Sequence, residues 1–536
     1  MKAADAVAQL LSDYGVTQAF GLMGDANMDY LSVFIEQNPG SYLPAIDERS
    51  AVAMASGYSR TTGKIGVVSV THGPGAANTV GPLIEAVRAN DAVLLLTGDT
   101  PSNQPSHAQD IDLAGLFSAT GAAFHRVRSS SQLVADITRA LHFVDSMNTP
   151  MVLNIPVDFL TDDVDYGGYQ RSELEHSRLQ PTPDALDNAL GALVQSSRPL
   201  VLAGRGAVRS DARDSLIALA DKIGAPLATS VGGKDLFFGH PYDLGVMGGL
   251  SHPWAAEVIA QADCIISFGA SLNDFTTMTG GFLSDKTLIQ CDTSASSFDR
   301  WCTPDFSVLG DATSTATAMV EMLEEAEYKA ENPFRERVLD ECDIRERSNN
   351  VVDASGAEPL SPQLAAHLID RHLPTDRVIV MDTGRFAISV WKHVHAEQPT
   401  DFVHTLTWAA IGLGLSTAIG VSVANKHRLT AALVGDGGGM MGLIELATAV
   451  KAKLPLAVFV FNDSAYGAEY MKLEEKGIDV RHSFIDLPDF VAVAQGLGAS
   501  AVQVNDRAEL ERALEGVSTI ESPTVFNIIL DPAAEF

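Results

Sequence analysis

Short apolar runs, glycine-rich turns and amphipathic stretches follow one another in the same order several times along this chain. The clearest case lies within residues 430–463. Residues 431–434 are apolar and predict a buried strand, and the next five residues include four glycines, which permit positive φ and close backbone approach in a turn. Residues 440–453 place apolar side chains at helical spacing, and residues 456–461 predict a second buried strand.

The same order of elements returns elsewhere. Residues 65–99 again predict a strand, a glycine turn, a helix and a strand, and apolar runs separated by helical patterns fill residues 199–294. Residues 161–184 mix polar residues, Gly and Pro without periodicity and predict a linker. Alternating strands and helices are typical of parallel sheets. The expected fold class is α/β, with three doubly wound parallel-sheet domains at residues 1–165, 180–345 and 355–536.

Composition and charge narrow the classes of partner. The 536-residue chain is 46% hydrophobic, and its 68 acidic and 36 basic residues give a formal charge of −32. Such an acidic chain is not expected to bind nucleic acid or an anionic membrane surface.

The location of the protein is also constrained by its sequence. Asp5 and Asp13 interrupt the N-terminal stretch, so it lacks the apolar core of a signal peptide, and no apolar run approaches the roughly 20 residues that span a bilayer. A cytoplasmic protein is therefore expected. The cysteines form no C-x-x-C pair and are expected to be reduced structural thiols. They are Cys264, Cys291, Cys302 and Cys342.

Acidic residues follow both strands of the 430–463 unit. Asp436 comes directly after the first strand, and Asn462 and Asp463 end the second. A right-handed crossover leaves the strands parallel, so these residues emerge at the same carboxyl edge. Oxygen ligands at this edge could bind one hard cation, Mg²⁺ or Ca²⁺, and the nearby N–H groups of a helix start could bind the phosphates of a diphosphate. The alternative is a glycine-rich turn without a ligand.

The GDG run, the helix and strand after it, and the closing Asn-Asp pair resemble the thiamine-diphosphate signature. Over nearly its full length the chain is similar to the acetolactate synthase, pyruvate oxidase and 2-oxo acid decarboxylase superfamily. The resemblance implies that Mg²⁺ is bound by Asp436, Asp463 and the carbonyl of Ala465. This family usually has Asn where the chain has Asp463, so the aspartate adds a negative charge beside the diphosphate. The resemblance also implies cofactor contacts at Gly435, Gly437, Gly438 and Gly439.

Glu48 begins a predicted helix in which Ala51, Ala55 and Tyr58 recur at helical spacing. Taken alone, Glu48 suits a favourable charge at a helix end. The stretch resembles the family's glutamate helix, whose carboxylate hydrogen-bonds the aminopyrimidine ring of thiamine across a subunit interface. That carboxylate drives the ring to the imino tautomer, and the 4′-nitrogen then removes the proton from thiazolium C2. Glu48 is the first expected catalytic residue.

A GPG turn follows the next predicted strand. By resemblance, this turn faces the pyrimidine, and His72 stands where many relatives have a small polar residue. His72 suits a substrate-facing role and a hydrogen-bonded structural role equally. The pocket residues implied are Gly73, Pro74, Gly75 and Asn78.

Three polar residues of the first domain point to two different chemistries. Residues 24–27 resemble the GDxN turn of the pyruvate decarboxylase branch, whose aspartate, here Asp25, handles substrate protons. His107 falls near the active-site histidines of that branch. Gln109 instead resembles the glutamine of the acetolactate synthase branch. For each of the three, a turn or surface polar group is the alternative.

The third domain has its own candidates. By resemblance, Thr383, Gly384 and Arg385 lie beside the diphosphate, and the alternative for Arg385 is a surface salt bridge. Ile411 stands where the family places a bulky apolar residue beneath the thiazolium ring, which bends the cofactor and brings the 4′-nitrogen to C2. The alternative for Ile411 is ordinary core packing.

Glu469 aligns with a glutamate of the decarboxylase branch that protonates the intermediate after CO₂ leaves. Lys472 sits near the position where acetohydroxyacid synthases have a tryptophan that selects a larger second oxo acid. This departure argues against a strict branched-chain biosynthetic role. A surface helix with solvated charges is the alternative for both residues.

The central domain raises the question of a dinucleotide. Gly204 and Gly206 follow one predicted strand and Asp292 ends another, so FAD could bind here in principle. Some relatives hold FAD in this domain, but residues 268–277 stand where flavin-binding members carry arginines. A scaffold that packs the catalytic domains together is the favoured expectation, and FAD is the alternative.

The expected function is thiamine-diphosphate- and Mg²⁺-dependent decarboxylation of a 2-oxo acid such as pyruvate, with transfer of the acyl carbanion to a carbonyl acceptor. One alternative is simple decarboxylation to an aldehyde, favoured by Asp25 and Glu469. Another is a cofactor-binding subunit without turnover. Because the cofactor of this family bridges two chains, the resemblance implies a homo-oligomer, either a dimer or a tetramer.

Substitution of Glu48 tests the first catalytic expectation. Glu48→Gln keeps the side chain's size and should leave the fold intact, while turnover should fall by about 10²- to 10⁴-fold, as for loss of a general acid–base group. Steady-state turnover and a circular dichroism spectrum of the purified variant measure both effects. Near wild-type turnover would remove Glu48 from the mechanism.

Overall fold

Three six-stranded parallel sheets, with helices between the strands, form the frame of the protein. This confirms the expected α/β class with three doubly wound sheets. The predicted domain boundaries stay predictions, and residues 345 and 355, like Cys342, lie outside the described residues. The computed structural model describes residues 1–104, 106–171, 177–331, 333–340 and 360–534.

The first sheet is built from the N-terminal part of the chain. Its strands are β1 (Ala19–Gly21), β2 (Tyr42–Pro44), β3 (Gly66–Val70), β4 (Val93–Asp99), β5 (Ala123–Arg126) and β6 (Met151–Pro156). Its helices are α1 (Ala3–Tyr14), α2 (Met28–Gln37), α3 (Glu48–Thr62), α4 (Pro74–Asn78), α5 (Val80–Ala89), α6 (Leu113–Ser118) and α7 (Leu133–Met147). The strand order is β2-β1-β3-β4-β6-β5. Strands β3 and β4 are buried along their whole length, because helices cover both faces of such a sheet.

The second sheet follows in the middle of the chain. Its strands are β7 (Pro199–Ala203), β8 (Leu227–Thr229), β9 (Asp243–Val246), β10 (Cys264–Phe268), β11 (Thr287–Asp292) and β12 (Phe306–Leu309). Its helices are α8 (Pro183–Leu193), α9 (Arg205–Arg209), α10 (Arg213–Ile223), α11 (Pro253–Gln261), α12 (Asp274–Thr277), α13 (Ala312–Glu325) and α14 (Glu336–Asp340). The strand order is β12-β11-β10-β7-β8-β9. Cys264 and Cys291 are buried on neighbouring strands, and both are free thiols, as is Cys302.

The third sheet completes the chain. Its strands are β13 (Arg377–Met381), β14 (Phe402–His404), β15 (Leu429–Gly435), β16 (Leu456–Asn462), β17 (Ser500–Val504) and β18 (Thr524–Ile529). Its helices are α15 (Pro362–His372), α16 (Ala387–His393), α17 (Gly414–Ala424), α18 (Asp436–Gly442), α19 (Leu446–Lys451), α20 (Gly467–Glu475), α21 (Phe490–Gly496) and α22 (Arg507–Leu514). The strand order is β14-β13-β15-β16-β18-β17.

The chain forms two compact units. The first unit comprises Met1–Glu173, Gly356–Val390 and Val403–Phe536, and so holds the first sheet and nearly all of the third. The second unit comprises Leu174–Ser355 and Trp391–Phe402 and holds the second sheet. Within the described ranges, no helix is both long enough and apolar enough to cross a membrane.

Within the first unit, the first and third sheets share one hydrophobic core, at whose centre α3 packs against α17. Nine of the eleven residues of α17 are buried, which fits a sequence of small and apolar residues without a charged side chain. Glycines bring the two helices to backbone distance. A Cβ at Gly420 would lie 1.9 Å from the carbonyl oxygen of Met54, and one at Gly57 would lie 2.3 Å from that of Thr417.

The glycine-rich stretch between β15 and β16 differs from its prediction. Helix α18 begins at Asp436, before the predicted start at residue 440, and none of Gly437, Gly438 and Gly439 has positive φ. The reason for these glycines is space. A Cβ at Gly438 would lie 2.7 Å from the Asp382 carboxylate, and one at Gly437 would lie 2.7 Å from the Tyr466 ring. The predicted turn is therefore wrong, because the stretch is helical and does not use the positive φ that glycine permits, whereas it does use the close approach.

Because α3 and α17 touch at Gly420, replacing this glycine with alanine should lower stability, whereas the same change stabilises most helices. Alanine normally stabilises a helix by about 1 kcal/mol relative to glycine. Gly420→Ala should nevertheless lower the melting temperature, because overpacking costs about 1–3 kcal/mol. The matched control is Gly191→Ala in α8, where a Cβ would meet nothing within 4 Å and stability should hold or rise. Thermal unfolding of both variants decides, and equal shifts would contradict the close contact.

Candidate cofactor and metal site

Glu48 is the first residue of α3, and its carboxylate is held against the GPG turn. Asp47 caps the helix, since its side chain accepts a hydrogen bond from the Arg49 N–H. The buried Glu48 carboxylate accepts a hydrogen bond from Asn78 Nδ2 at 3.0 Å. A Cβ at Gly75 would lie 3.2 Å from Glu48 Oε1. The structure thus brings together the glutamate and the turn residues that the sequence nominated separately.

The GPG turn depends on glycine at its first position. Gly73 has φ of +59°, which favours glycine, and Pro74 then starts α4. A Cβ at Gly73 would lie 2.6 Å from the carbonyl oxygen of Gln109. The backbone N–H of Gln109 in turn donates to His107 Nδ1 at 3.2 Å. Gln109 and His107 therefore lie beside the turn that contacts Glu48.

His72 and His107 form a pair of rings next to this turn. Their centroids are 5.3 Å apart at an interplanar angle of 61°. His72 is buried, and among the described residues its Nε2 has no hydrogen-bond partner. Burial, and then the nearby His107, lower the pKa of His72, against the opposing charges of Asp25 and Asp99. These surroundings therefore favour the neutral form of His72.

The residues around Asp25 have separate tasks. Asn27 is fully buried and holds the turn, because its side chain accepts from the Gly24 N–H at 2.8 Å and donates to the Leu22 carbonyl at 3.0 Å. Asp25 itself is exposed. The turn thus presents an accessible carboxylate whose charge acts on His72.

The two carboxylates of the candidate metal site lie at one sheet edge, as predicted. Strands β15 and β16 are parallel neighbours with Gly435 opposite Phe461, so Asp436 and Asp463 emerge side by side. Both are buried. Burial, and then the charge of Asp463, raise the pKa of Asp436 to about 7. Two buried carboxylates so close together oppose each other's ionisation unless a cation neutralises them.

The remaining contacts of these carboxylates fit a hard divalent cation. Oδ1 of Asp436 accepts from the Gly437 N–H at 2.7 Å, whereas Oδ2 is buried and finds no partner among the described residues. Ala465, two residues after Asp463, is buried and donates its N–H to Asp463 Oδ1 at 3.2 Å. Two carboxylates are too few to enclose a cation, which would suit Mg²⁺ that also binds substrate phosphates.

Arg385 is a buried partner of Asp463. Its Nη2 donates to Asp463 Oδ2 at 2.5 Å, and burial still leaves the pKa of Asp463 raised. The alternative of a surface salt bridge is wrong, because both side chains are less than one tenth exposed. Of its neighbours, Thr383 donates its hydroxyl to the Thr405 carbonyl at 2.9 Å, and a Cβ at Gly384 would lie 2.7 Å from the Phe386 ring.

Ile411 lies in a loop of residues 405–412, here named the wedge loop. Ile411 is half-buried, so its side chain is not ordinary core. It lies close to α18, since a Cβ at Gly438 would be 3.5 Å from Ile411 Cβ. The Ile411 carbonyl accepts from Arg49 Nη2 at 2.8 Å. Because Arg49 follows Glu48, this hydrogen bond joins the candidate site residues around Glu48 to those of the third sheet within one chain.

Three charged residues that the sequence did not reveal, the buried Asp382 and Glu85 and the partly buried Arg60, hold the wedge loop. Asp382 accepts from the Gly412 N–H through Oδ2 and from the Thr405 hydroxyl through Oδ1, both at 2.9 Å. Glu85 accepts from the N–H of Trp408 at 2.6 Å and of Thr407 at 3.2 Å. Arg60 donates to the His404 carbonyl and pairs with Glu85.

Only weak signals in the sequence indicated that these charged residues would hold the wedge loop. Asp382 follows a buried strand directly, the same pattern that singled out Asp436. Glu445 is another missed residue, fully buried after α18, where it accepts from the N–H groups of Ile46 and Asp47 at 2.9 and 3.0 Å. Its charge stands inside an apolar helical pattern, which is a signal for a buried role. Glu445 therefore supports the backbone that leads into Glu48.

The remaining predicted residues lie apart from these contacts. Glu469 is on α20 with its side chain 59% exposed, and it pairs with Lys472 at 3.9 Å, as a solvated surface pair would. In the second unit, the glycines of the possible dinucleotide motif pack against backbone. A Cβ at Gly204 would lie 2.4 Å from the carbonyl oxygen of Gly269, and one at Gly206 would lie 2.6 Å from Gly269 Cα.

Comparison with family models gives three consecutive matches. Residues 1–116 match the thiamine pyrophosphate enzyme N-terminal TPP-binding domain. Residues 186–319 match the central domain of the same enzymes, and residues 382–528 match their C-terminal TPP-binding domain. The three matches follow the order of the three sheets.

Similar proteins cover nearly the whole chain. A probable acetolactate synthase large subunit of Methanocaldococcus jannaschii is 25% identical over 99% of this chain and 92% of its own length. The sulfoacetaldehyde acetyltransferase of Castellaniella defragrans is 26% identical over 99% and 93%. A solved structure of a Rhodococcus jostii thiamine diphosphate-dependent 4-hydroxybenzoylformate decarboxylase superposes with a TM-score of 0.84, at 19% identity over 99% of both chains. The last likeness concerns the fold alone.

The anchoring of the wedge loop predicts the effect of Asp382→Asn. In either orientation, the amide nitrogen would face a backbone N–H, that of Gly412 or that of Thr383, donor against donor. Thiamine diphosphate affinity should therefore fall about tenfold to hundredfold, which corresponds to the loss of a hydrogen bond to a charged group. Asp376→Asn is the control, because Asp376 is 73% exposed in an ion pair with Arg428. Calorimetric titration measures both, and equal affinities would contradict the anchoring role.

Proposed function

Because the chain belongs to the thiamine pyrophosphate enzymes, we propose that it decarboxylates a 2-oxo acid, pyruvate first, and ligates the acyl carbanion to a carbonyl acceptor. Thiamine diphosphate and Mg²⁺ are the proposed cofactors. A non-oxidative decarboxylase that releases an aldehyde is the second candidate.

The observation that carries the proposal is the position of the Glu48 carboxylate. It is buried, accepts a hydrogen bond from Asn78 and contacts Gly75, so its direction is set before any ligand arrives. The Ile46 and Asp47 backbone before it is held by Glu445. A glutamate fixed in this way can hold a proton against a ring nitrogen without reorganising.

The diphosphate end is proposed to be held by the third sheet. Asp436, Asp463 and the Ala465 carbonyl are the proposed Mg²⁺ ligands, and the buried Oδ2 of Asp436 supports this role. Ile411, fixed through Arg49 and Asp382, is proposed to orient the thiazolium ring. When bound, the thiazolium supplies an electron sink for the carbanion left as CO₂ departs. The protein's part is then positioning and exclusion of water.

Support for ligation comes from the relatives. The Methanocaldococcus jannaschii relative is named a probable acetolactate synthase large subunit. Gln109, beside Gly73, is proposed to meet the acceptor, as its resemblance to the synthase branch suggests. The exposed position of Glu469 gives no support to a protonating role.

The decarboxylase candidate rests on the histidine pair. His72 is buried, its surroundings favour the neutral form, and its Nε2 has no hydrogen-bond partner among the described residues. His107 lies against it, with Asp25 nearby. A neutral imidazole can accept a proton at Nε2 and, once protonated, can deliver it. In this alternative, His72 rather than Glu469 is proposed to take up a proton from solvent and deliver it to the substrate carbon, which accounts for the one proton that aldehyde formation requires.

We also propose a homo-oligomer, a dimer or a tetramer. Exposed apolar side chains flank both groups of site residues: Ile46 precedes Glu48, Met441 lies on α18 beside Gly412, and Ile444 follows. Burial of such side chains by a second copy would stabilise the assembly.

Carbon dioxide release from pyruvate tests the proposed function. We expect release that requires both thiamine diphosphate and Mg²⁺, is abolished by EDTA, and yields acetolactate or a mixed 2-hydroxy ketone when an aldehyde or a second oxo acid is present. Product identification by mass spectrometry separates this from the decarboxylase, which would give acetaldehyde alone. Glu48→Gln is the control for cofactor-independent release. Binding of thiamine diphosphate without turnover on any 2-oxo acid would contradict the proposal.

A further inference from the structure

Asp463 differs from Asp436 in one respect, because it is already paired with a cation of the protein. Arg385 Nη2 donates to Asp463 Oδ2 at 2.5 Å, and the two side chains are 3% and 9% exposed. A buried pair of this kind is geometrically fixed and carries no net charge. The candidate metal site therefore contains one uncompensated carboxylate rather than two.

Arg385 is held in this position from several sides. It donates to the Pro532 carbonyl at 2.9 Å, and its guanidinium lies 5.1 Å from the centroid of the Tyr470 ring. Gly467 leaves the necessary space, since a Cβ there would lie 2.6 Å from Arg385 Nε. These contacts hold the guanidinium against Asp463.

The pairing leaves Asp463 able to bind a cation. One oxygen accepts from Arg385 and the other from the Ala465 N–H at 3.2 Å, and each carboxylate oxygen keeps a further lone pair. Toward a metal, the paired carboxylate resembles a neutral amide oxygen more than a free anion. This is the difference between the asparagine usual at this position and the aspartate found here.

We propose that Arg385 is a charge-compensating residue that lets Asp463 serve as a neutral oxygen ligand for the cofactor's cation. The inference rests on the proposed function, because it concerns the same site. With Arg385 present, Mg²⁺ bound by Asp436 and Asp463 keeps one net positive charge toward the diphosphate. An uncompensated Asp463 would repel the diphosphate, and an uncompensated Arg385 would repel the cation.

A double-mutant cycle tests this compensation. The variants are Asp463→Asn, Arg385→Gln and the two together, and isothermal titration gives the affinities for Mg²⁺ and for thiamine diphosphate. Asp463→Asn alone should weaken Mg²⁺ binding at least about tenfold, because the buried guanidinium is left facing the cation. Arg385→Gln alone should weaken diphosphate binding by about tenfold at saturating Mg²⁺. The double variant should bind both within about threefold of the unmodified protein.

The decisive comparison is between Asp463→Asn and the double variant. Adding Arg385→Gln to Asp463→Asn should improve Mg²⁺ affinity, although it is a second change at a buried site. This comparison holds even when Arg385→Gln alone does not fold. Arg377→Gln is the matched control, since Arg377 is a buried arginine at the other end of β13, paired with Asp370. It should change melting temperature without changing affinity for Mg²⁺.

The outcomes separate the inference from the proposed function. Additive losses, or a double variant that binds Mg²⁺ no better than Asp463→Asn, would overturn the compensation while leaving the cofactor assignment in place. Absence of thiamine diphosphate binding in the unmodified protein would overturn both. Recovery in the double variant, with no effect of Arg377→Gln on affinity, would establish the pair as the reason that aspartate is tolerated.

Discussion

The positions of both groups of candidate site residues, those around Glu48 and those of the third sheet, depend on the backbone contact between α3 and α17. Glu48 is the first residue of α3, and α17 begins two residues after Gly412, at the end of the wedge loop. Gly57 and Gly420 let the two helices touch at distances that no side chain would permit. Since both helices are buried in the core shared by the first and third sheets, this contact sets where Glu48 and Ile411 lie relative to each other. The hydrogen bond from Arg49 to the Ile411 carbonyl is then a local consequence.

Buried carboxylates do much of the positioning within the first unit. Glu85, Asp382 and Glu445 each accept hydrogen bonds from two or more protein donors, most of them backbone N–H groups of segments that lead into candidate site residues. Such bonds are strong in a low-dielectric interior and costly when a partner is lost. Burial raises the pKa of Asp382 and of Glu445, while their donors oppose it. Asp436, with one oxygen unsatisfied among the described residues, stands apart from this group and suits a metal.

Much of this arrangement was predictable from periodicity and from positions at strand ends. The parallel pairing of β15 with β16 follows from a strand, a helix and a strand, and it places Asp436 beside Asp463. The glycine run was mispredicted in conformation, because the sequence shows that glycine is present but not whether it is there for φ or for space. At Gly438, glycine is needed because any side chain would collide with the carboxylate of Asp382, which follows a different strand. Neighbours distant in the chain decide such cases.

By itself, the sequence determined the α/β class, the strand-end carboxylates and the glutamate at a helix start, because these follow from spacing of 2 or 3.6 residues and from chain order. Only the tertiary structure decided that Arg385 is buried against Asp463, that Glu469 is exposed, and that Asp382 and Glu85 hold the wedge loop. These pairs join segments far apart in the chain, as Arg385 and Asp463 do. Their meeting depends on how sheets and helices pack, and local sequence patterns carry no information about that packing.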